Sequence, residues 1–299
     1  MTTPAVTVDA VYSGFSAVFD SLTINDVVSV TPSANVKKII AQAGGMVDMS
    51  LIAEQVREPV VKLSALNIGA IMTAVSATLG LAISSAAKIQ YQLRSDGGTF
   101  DGSANHISLS TAKGFLLPVS IRMEQDSEKG AEIELEFWPL VTSTNPPLIV
   151  NISQALSGTP AVAALFRLGP VGFEGSVLGG VQSVSVNFGL EYKPFRAGGQ
   201  TGAGIGFIRK RAPTIEIETT NQRILSSIGF GITGISTGLT VGCAQIGYAL
   251  SGSNHTKITM ATGSYEVTDA GYSGDGDAMA KITATATGTL TVANSTNLA

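Results

Sequence analysis

The sequence predicts a mainly β protein: two tandem, duplicated β-sandwich or open-barrel domains, each with a short flanking α-helix and a long inter-strand loop. Three observations carry this expectation. Short segments alternate apolar and polar residues with period two, the pattern of half-buried strands. Thirty-four glycines among 299 residues separate these segments with turns. Blocks of the first half recur, in the same order, in the second.

Each repeat opens with an alternating strand, Leu22-Thr23-Ile24 up to Val30 and Val184-Ser185-Val186-Asn187-Phe188 up to Tyr192. Long connections follow, Thr31–Gln55 and Lys193–Ile208. Next, Glu58-Pro59-Val60-Val61-Lys62-Leu63 matches Ala212-Pro213-Thr214-Ile215-Glu216-Ile217, with Arg57 and Arg211 preceding the two prolines. Proline suits the first residue of a strand. Asn67 and Asn221 stand where an N-cap would start a short amphipathic helix.

Ile89-Gln90-Tyr91-Gln92-Leu93 resembles Ile246-Gly247-Tyr248-Ala249-Leu250, and Asn105-His106 matches Asn254-His255, the only two histidines. The histidine register also aligns Gly114 with Gly263, Asp126 with Asp275, Ala131 with Ala280 and Ile133 with Ile282, and sets Lys281 at the place of Glu132. Further strands are expected at Ile107–Ser110, Leu117–Met123 and Glu132–Phe137. The domains are therefore 1–140 and 181–299. Between them, 141–180, with Pro146, Pro147, Pro160 and Pro170, reads as a linker with a short helix near Ala161–Phe166.

Composition bounds the function. Charged residues are 13% of the chain against about 25% in ordinary soluble domains, mean hydropathy is +0.31, and 44% of residues are hydrophobic. Two cores can be filled, and the remaining surface is apolar enough to expect burial against copies of the chain or partners. A net charge of −4 argues against a basic nucleic-acid face. One cysteine excludes an intramolecular disulfide framework and a thiolate metal cluster. Met1-Thr2-Thr3-Pro4-Ala5 lacks the basic start and apolar core of a secretory signal. The uncharged run from Ile68 to Ala87 is long enough to cross a bilayer, but Ser, Thr and Asn dilute it and Gly69 and Gly80 interrupt it. It reads as a buried helix followed by a strand, with no membrane span.

No catalytic constellation is expected, and no cofactor or metal. Gly234-Ile235-Ser236-Thr237-Gly238 matches a nucleophile elbow, but no acid lies between Ser236 and His255 and the later carboxylates have no histidine after them. The Gly202, Gly204, Gly206 run lacks the Gly-Lys-Ser/Thr ending of a phosphate loop. It reads as a loop with a basic base, and Lys193, Arg196, Arg209, Lys210 and Arg211 are candidates for docking onto an acidic neighbour. Asp96, Asp101, Asp269, Asp275 and Asp277 read as turn formers, because their spacing misses the EF-hand ladder. His106 and His255 read as positions set by the duplicated fold, and Cys243 as a small buried residue. Glu132, Glu134 and Glu136 alternate with Ile133, Leu135 and Phe137, so three carboxylates share one strand face that must meet water or cations.

Val184–Phe188, the long loop Lys193–Ile208, and the Pro213–Ile217 strand leading to Asn221, with their first-repeat counterparts, resemble the tail tube proteins of bacteriophages. The resemblance implies a structural virion protein of the phage tail, made in the host bacterial cytoplasm. Its two-domain subunits would form trimeric, pseudo-hexameric rings that stack into a hollow tube for genome delivery. It also implies long loops that reach the adjacent ring, other tail proteins as partners, and an acidic lining past which double-stranded DNA slides unbound. Glu132, Glu134 and Glu136 are the candidate lining. The competing expectations are a capsid or head–tail connector protein, another tail-associated β-protein that binds a host surface ligand, and a hydrolase using Ser236.

Overall fold

The computed structural model describes residues 11–42, 51–75, 79–94, 105–142, 146–157, 160–224, 231–271 and 278–299. The first half contributes β1 (Val11–Phe19), β2 (Leu22–Ile24), β3 (Val27–Ser33), β4 (Val36–Ala41), β5 (Leu51–Arg57) and β6 (Val60–Ala65). The helix α1 (Ile68–Val75) follows, then β7 (Leu81–Ile83), β8 (Ala87–Arg94), β9 (His106–Thr111), β10 (Gly114–Glu124), β11 (Glu132–Pro139) and β12 (Ile149–Gln154). The second half contributes β13 (Phe166–Phe173), β14 (Ser176–Val177), β15 (Val181–Asn187), β16 (Leu190–Phe195), β17 (Ile205–Arg211) and β18 (Thr214–Thr219). It ends with β19 (Thr233–Gly234), β20 (Leu239–Gln245), β21 (His255–Met260), β22 (Gly263–Gly271), β23 (Met279–Ala286) and β24 (Thr291–Thr296).

The halves correspond strand for strand. The outer sheet β12-β9-β8-β1-β2 is repeated as β24-β21-β20-β13-β14. The inner order β10-β11-β6-β3 is repeated as β22-β23-β18-β15, with β7 and β19 as short additions on β10 and β22. Even the irregularities recur. Single extra residues bulge at Val28 and Gln182, at Gln55 and Arg209, and at Val119 and Thr268. Left-handed backbone falls at Asp20 and Glu174, at Asn35 and Gly189, and at Ser153 and Ser295. At Gly189 a Cβ would stand 2.0 Å from the Ala212 carbonyl oxygen, so only glycine fits.

The two inner sheets are one sheet. Ser120–Glu124 of β10 pair antiparallel with Asn187–Ser183 of β15, so eight long strands run continuously through both repeats. One face of this sheet is apolar and packs against the outer sheets, as Ile133, Leu135 and Phe137 of β11 and Ile215 and Ile217 of β18 show. The other face is polar. A single hydrophobic core runs through both halves. The helix crosses the boundary too: a Cβ on Gly69 would come within 3.0 Å of the Phe166 ring in the second repeat. As expected, Asn67 caps α1, its Oδ1 accepting from Ala70 N–H at 3.2 Å. The helix expected after Asn221 falls largely on 225–230, outside the described residues.

Several expectations are corrected. The long connections are largely paired into hairpins, β4–β5 and β16–β17. Residues 141–180, read as a linker, carry β12, β13 and β14, and Ala161–Leu165 form no helix. Ile246–Leu250 is a turn, not the partner of Ile89–Leu93. Strand β20 takes that place, since Ala17 pairs Ile89 and the equivalent Val171 pairs Val241. In β23 the register is two residues off: bulge matching sets Lys281 at the place of Glu134, and Ile282 at that of Leu135.

Ile121 lies fully buried at the junction, in register with Val186 on one side and Ile133 on the other. Ile121→Ala is expected to destabilise the chain by about 2–5 kcal/mol, the usual cost of such a cavity. Chemical denaturation should still show one transition, because the junction couples both repeats.

Candidate assembly edges and acidic face

The polar face of the inner sheet begins with the three expected carboxylates. Glu132, Glu134 and Glu136 project to this face while the residues between them are buried. Their repulsion is relieved by the flanking strands. Lys62 Nζ lies 3.4 Å from Glu136, Arg122 Nη2 lies 3.5 Å from Glu134, and Ser120 Oγ donates to Glu134 at 3.0 Å. Such exposed pairs contribute little stability, and their effect here is to moderate the field. In the second repeat the face carries Glu216, Glu218, Glu266 and Asp269, with Lys281 Nζ 2.9 Å from Glu216. The hydrogen bond and charge of Glu216, followed by the charges of Glu218 and Asp269, raise the Lys281 pKa. Acids outnumber bases on both halves of the face.

The inner sheet ends in two unlike edges. At one end is β3, the counterpart of β15. At the other is β22, the counterpart of β10, paired to β19 only through Ser264 and Tyr265. The edges that meet inside the chain are therefore presented again at its two ends, without a full-length partner among the described residues. Pro32 in β3 stands at the place of Val186, and a proline with its nitrogen turned outward is confined to such edges.

The basic residues expected to dock onto a neighbour lie on β16–β17 or just beyond it. Arg196 pairs with Glu58 of the first repeat at 3.3 Å, and Arg209 with Glu191 of the same hairpin at 3.4 Å. Lys193 sits over the Phe195 ring, 5.6 Å from its centroid, while Lys210 and Arg211 are at the exposed base of β17.

Ser236 lies between β19 and β20, not in a strand–turn–helix setting. Its backbone N–H and Oγ, and those of Thr237, donate to the Glu174 carboxylate. The counterpart is Asp20, which accepts from Ser84 N, Ser85 N, Ser85 Oγ and Ala86 N. Sequence reasoning missed these two clamps, because each joins residues more than sixty positions apart. The histidines are equivalent as expected. Leu93 N–H donates to His106 Nδ1 at 3.1 Å, and Gln245 N–H to His255 Nδ1 at 2.9 Å. Since Nδ1 accepts, the ring proton of His255 sits on Nε2, facing the Ala249 carbonyl at 2.8 Å. Cys243 is fully buried, and burial pushes its thiol up to about 12.

Among the described residues, no cluster of three or more metal-ligating side chains occurs, and no helix is long and apolar enough to cross a membrane. Asp96, Asp101, Asp126's expected partner Asp275, and Asp277 lie outside the described residues, whereas Asp269 sits on β22 opposite Lys281. No family model matches the chain, and no characterised protein matches it in sequence.

The clamps set a pH dependence. Desolvation raises the Asp20 pKa, but the hydrogen bonds from Ala86, Ser84 and Ser85 together outweigh it and hold the carboxyl well below the usual range. Desolvation and the bonds from Ser236 and Thr237 leave Glu174 lowered in the same way. A carboxyl with a depressed folded pKa contributes stability fully above its unfolded value, near 4, and loses it as pH falls through the folded value. Asp20→Asn and Glu174→Gln should each cost roughly 1 kcal/mol at pH 7, a modest figure because both sites are partly solvated. Thermal unfolding of the double variant should be visibly less acid-sensitive below pH 4 than that of the parent.

Proposed function

We propose that this chain is a structural assembly subunit whose copies join head to tail, β22 of one to β3 of the next, into closed rings that stack as a tube. The observation that carries this is the β10–β15 junction. It is a heterologous contact between equivalent domains, and repeating it between chains leaves the inner sheet no open edge once the ring closes. A second contact follows the same rule. Where α1 covers Asn294 of β24, the equivalent Ile152 of β12 is 70% exposed, awaiting cover.

The resemblance to phage tail tube proteins supplies the number of chains. With three chains the eight long inner strands of each form a barrel of about 24 strands. At ~4.8 Å between strands and a tilt of ~40°, its backbone diameter is roughly 45–50 Å. That admits a DNA duplex after side chains are subtracted. If the apolar face turns outward onto the flanking sheets, the acidic face with Glu132, Glu134 and Glu136 lines the lumen and repels phosphate. Outer faces of the hairpins, where Phe195 stacks on Phe207 at 5.0 Å, are available to the adjacent ring. Among the described residues, no feature favours a ligand-gripping surface or a hydrolytic site over this reading.

Two experiments test it. Electron microscopy of the purified protein should show rings or tubes with threefold or pseudo-sixfold end views. Ala270→Pro, which removes an outward N–H from the β22 edge, should give folded monomers by light scattering with little change in melting temperature; assembly unaffected by this variant would refute edge pairing. For the lining, Glu132→Lys with Glu134→Lys and Glu136→Lys should convert assembled particles from DNA-excluding to DNA-retaining. Retention should weaken steeply with salt, as phosphate contacts do.

A further inference from the structure

The two hairpins occupy equivalent places in the chain but very different surroundings. Hairpin β16–β17 lies against the first repeat. Tyr192, 8% exposed, is held between Phe115 at 5.2 Å and Trp138 at 5.5 Å. Lys113 Nζ donates to the Gly204 carbonyl at 2.8 Å, and the backbone N–H groups of Arg57 and Val141 donate to Thr201 and Ala203, each at 2.8 Å. The face turned inward carries Tyr192, Pro194, Gly206 and Ile208, and the opposite face is solvent-exposed.

Hairpin β4–β5 is held at its base, where Val56 is buried and Arg57 N–H meets Thr201, while its outer part lies exposed. Every residue of β4 is exposed. Register and bulge position map its Lys38, Ile40, Ile52 and Glu54 onto Tyr192, Pro194, Gly206 and Ile208. Ile40 and Ile52 face each other across the two strands, 52% and 64% exposed, on the side that its counterpart buries. Such a patch on an extended ribbon calls for a cover.

We infer that the β4–β5 hairpin is an arm that seats on the second repeat of a neighbouring copy in the same ring, over Ser264 of β22 and Thr285 of β23. These two residues are the counterparts of Phe115 and Trp138: each pair is cross-strand matched, and Phe115 meets β7 as Ser264 meets β19. Residue size is exchanged across the contact. Inside the chain, large receptor residues Phe115 and Trp138 meet a hairpin with Gly206 at its centre, whose missing side chain leaves room for the Tyr192 ring. Between chains, small Ser264 and Thr285 leave room for Ile52 at the same place. The direction is also consistent. In each repeat the hairpin follows directly from the edge strand that makes the junction, so pairing β3 with a neighbour's β22 carries β4–β5 onto that same neighbour. The seat differs from the adjacent-ring contact that the family resemblance implies for long loops.

This inference rests on the head-to-tail ring, and the test separates the two. Cys243 is fully buried, so surface cysteines can be addressed selectively. Lys38→Cys and Ser264→Cys chains, mixed, assembled and treated with a short bismaleimide, should give a covalent dimer that neither chain gives alone. A parallel mixture of Ser33→Cys and Asp269→Cys chains reports the sheet junction, by the register of Asn187 with Ser120. A dimer in the second mixture but not the first overturns the arm and leaves the ring. No dimer in either mixture overturns both. In addition, Ile40→Asp with Ile52→Asp should leave the monomer's melting temperature unchanged and raise the concentration needed for assembly at least tenfold. Unchanged assembly would contradict the seat.

Discussion

Everything in this molecule depends on the pairing of Ser120–Glu124 with Ser183–Asn187, because that ladder turns two sandwiches into one sheet with one core. A sheet made by joining two equivalent halves still has two edges, and they are the same two that were joined. Backbone groups on such edges retain their demand for hydrogen bonds and present a template for another chain. Most proteins blunt that template. Here the second edge strand is long, and among the described residues only the two-residue β19 pairs with one end of it.

The repeated irregularities explain how so many copies of one geometry can be held. A bulge adds local twist and fixes register, because slipping past it by one residue would turn the apolar face outward. The bulges at Val119 and Gln182 sit on the two strands that make the junction, and those at Thr268 and Val28 sit on the equivalent strands at the ends of the sheet. The clamps act at the opposite layer. Asp20 and Glu174, both in left-handed turns, tie the turn after the first strand of each repeat to the segment before β8 or β20. A carboxylate collecting several N–H and O–H donors fixes a turn that backbone propensity alone would not, since neither residue favours positive φ as glycine does.

Much of the fold was legible because duplication converts weak signals into correlated ones. The alternation in Val60–Leu63 and Thr214–Ile217, the prolines before them and the two histidines all marked equivalent places, and the structure keeps those equivalences. The sequence misled where apolar content changed between copies. Strand β20 replaces the Ile, Tyr and Leu of β8 with Val241, Cys243 and Gln245, so the eye settles on the Ile246–Leu250 turn instead. The hairpins were hidden because bulges at Gln55 and Arg209 break period two. The carboxylate face was readable from three alternating glutamates, but its neutralising partners Lys62 and Arg122 are remote in sequence and appear only when strands pair. The sheet's two ends left little mark in the residues beyond Pro32 of β3; they are a property of topology.

The divergence between the internal junction and the proposed external one has its own logic. The internal junction forms within one chain, at the high effective concentration that covalent linkage provides, and its hairpin is secured by three packed aromatic rings and a lysine. A junction of equal strength at both ends of the chain would polymerise as soon as two copies met. The proposed external one would be built from weaker parts: Pro32 removes a donor from the β3 edge, Lys37 and Lys38 put charge on the β4–β5 hairpin, and Ser264 and Thr285 stand where the first repeat has aromatics. Each is a recognised way of restraining an edge without abolishing it. In the proposed assembly, ring closure and stacking would supply through many simultaneous contacts what a single contact withholds, and a weak single contact would give each subunit time to fold before it assembles.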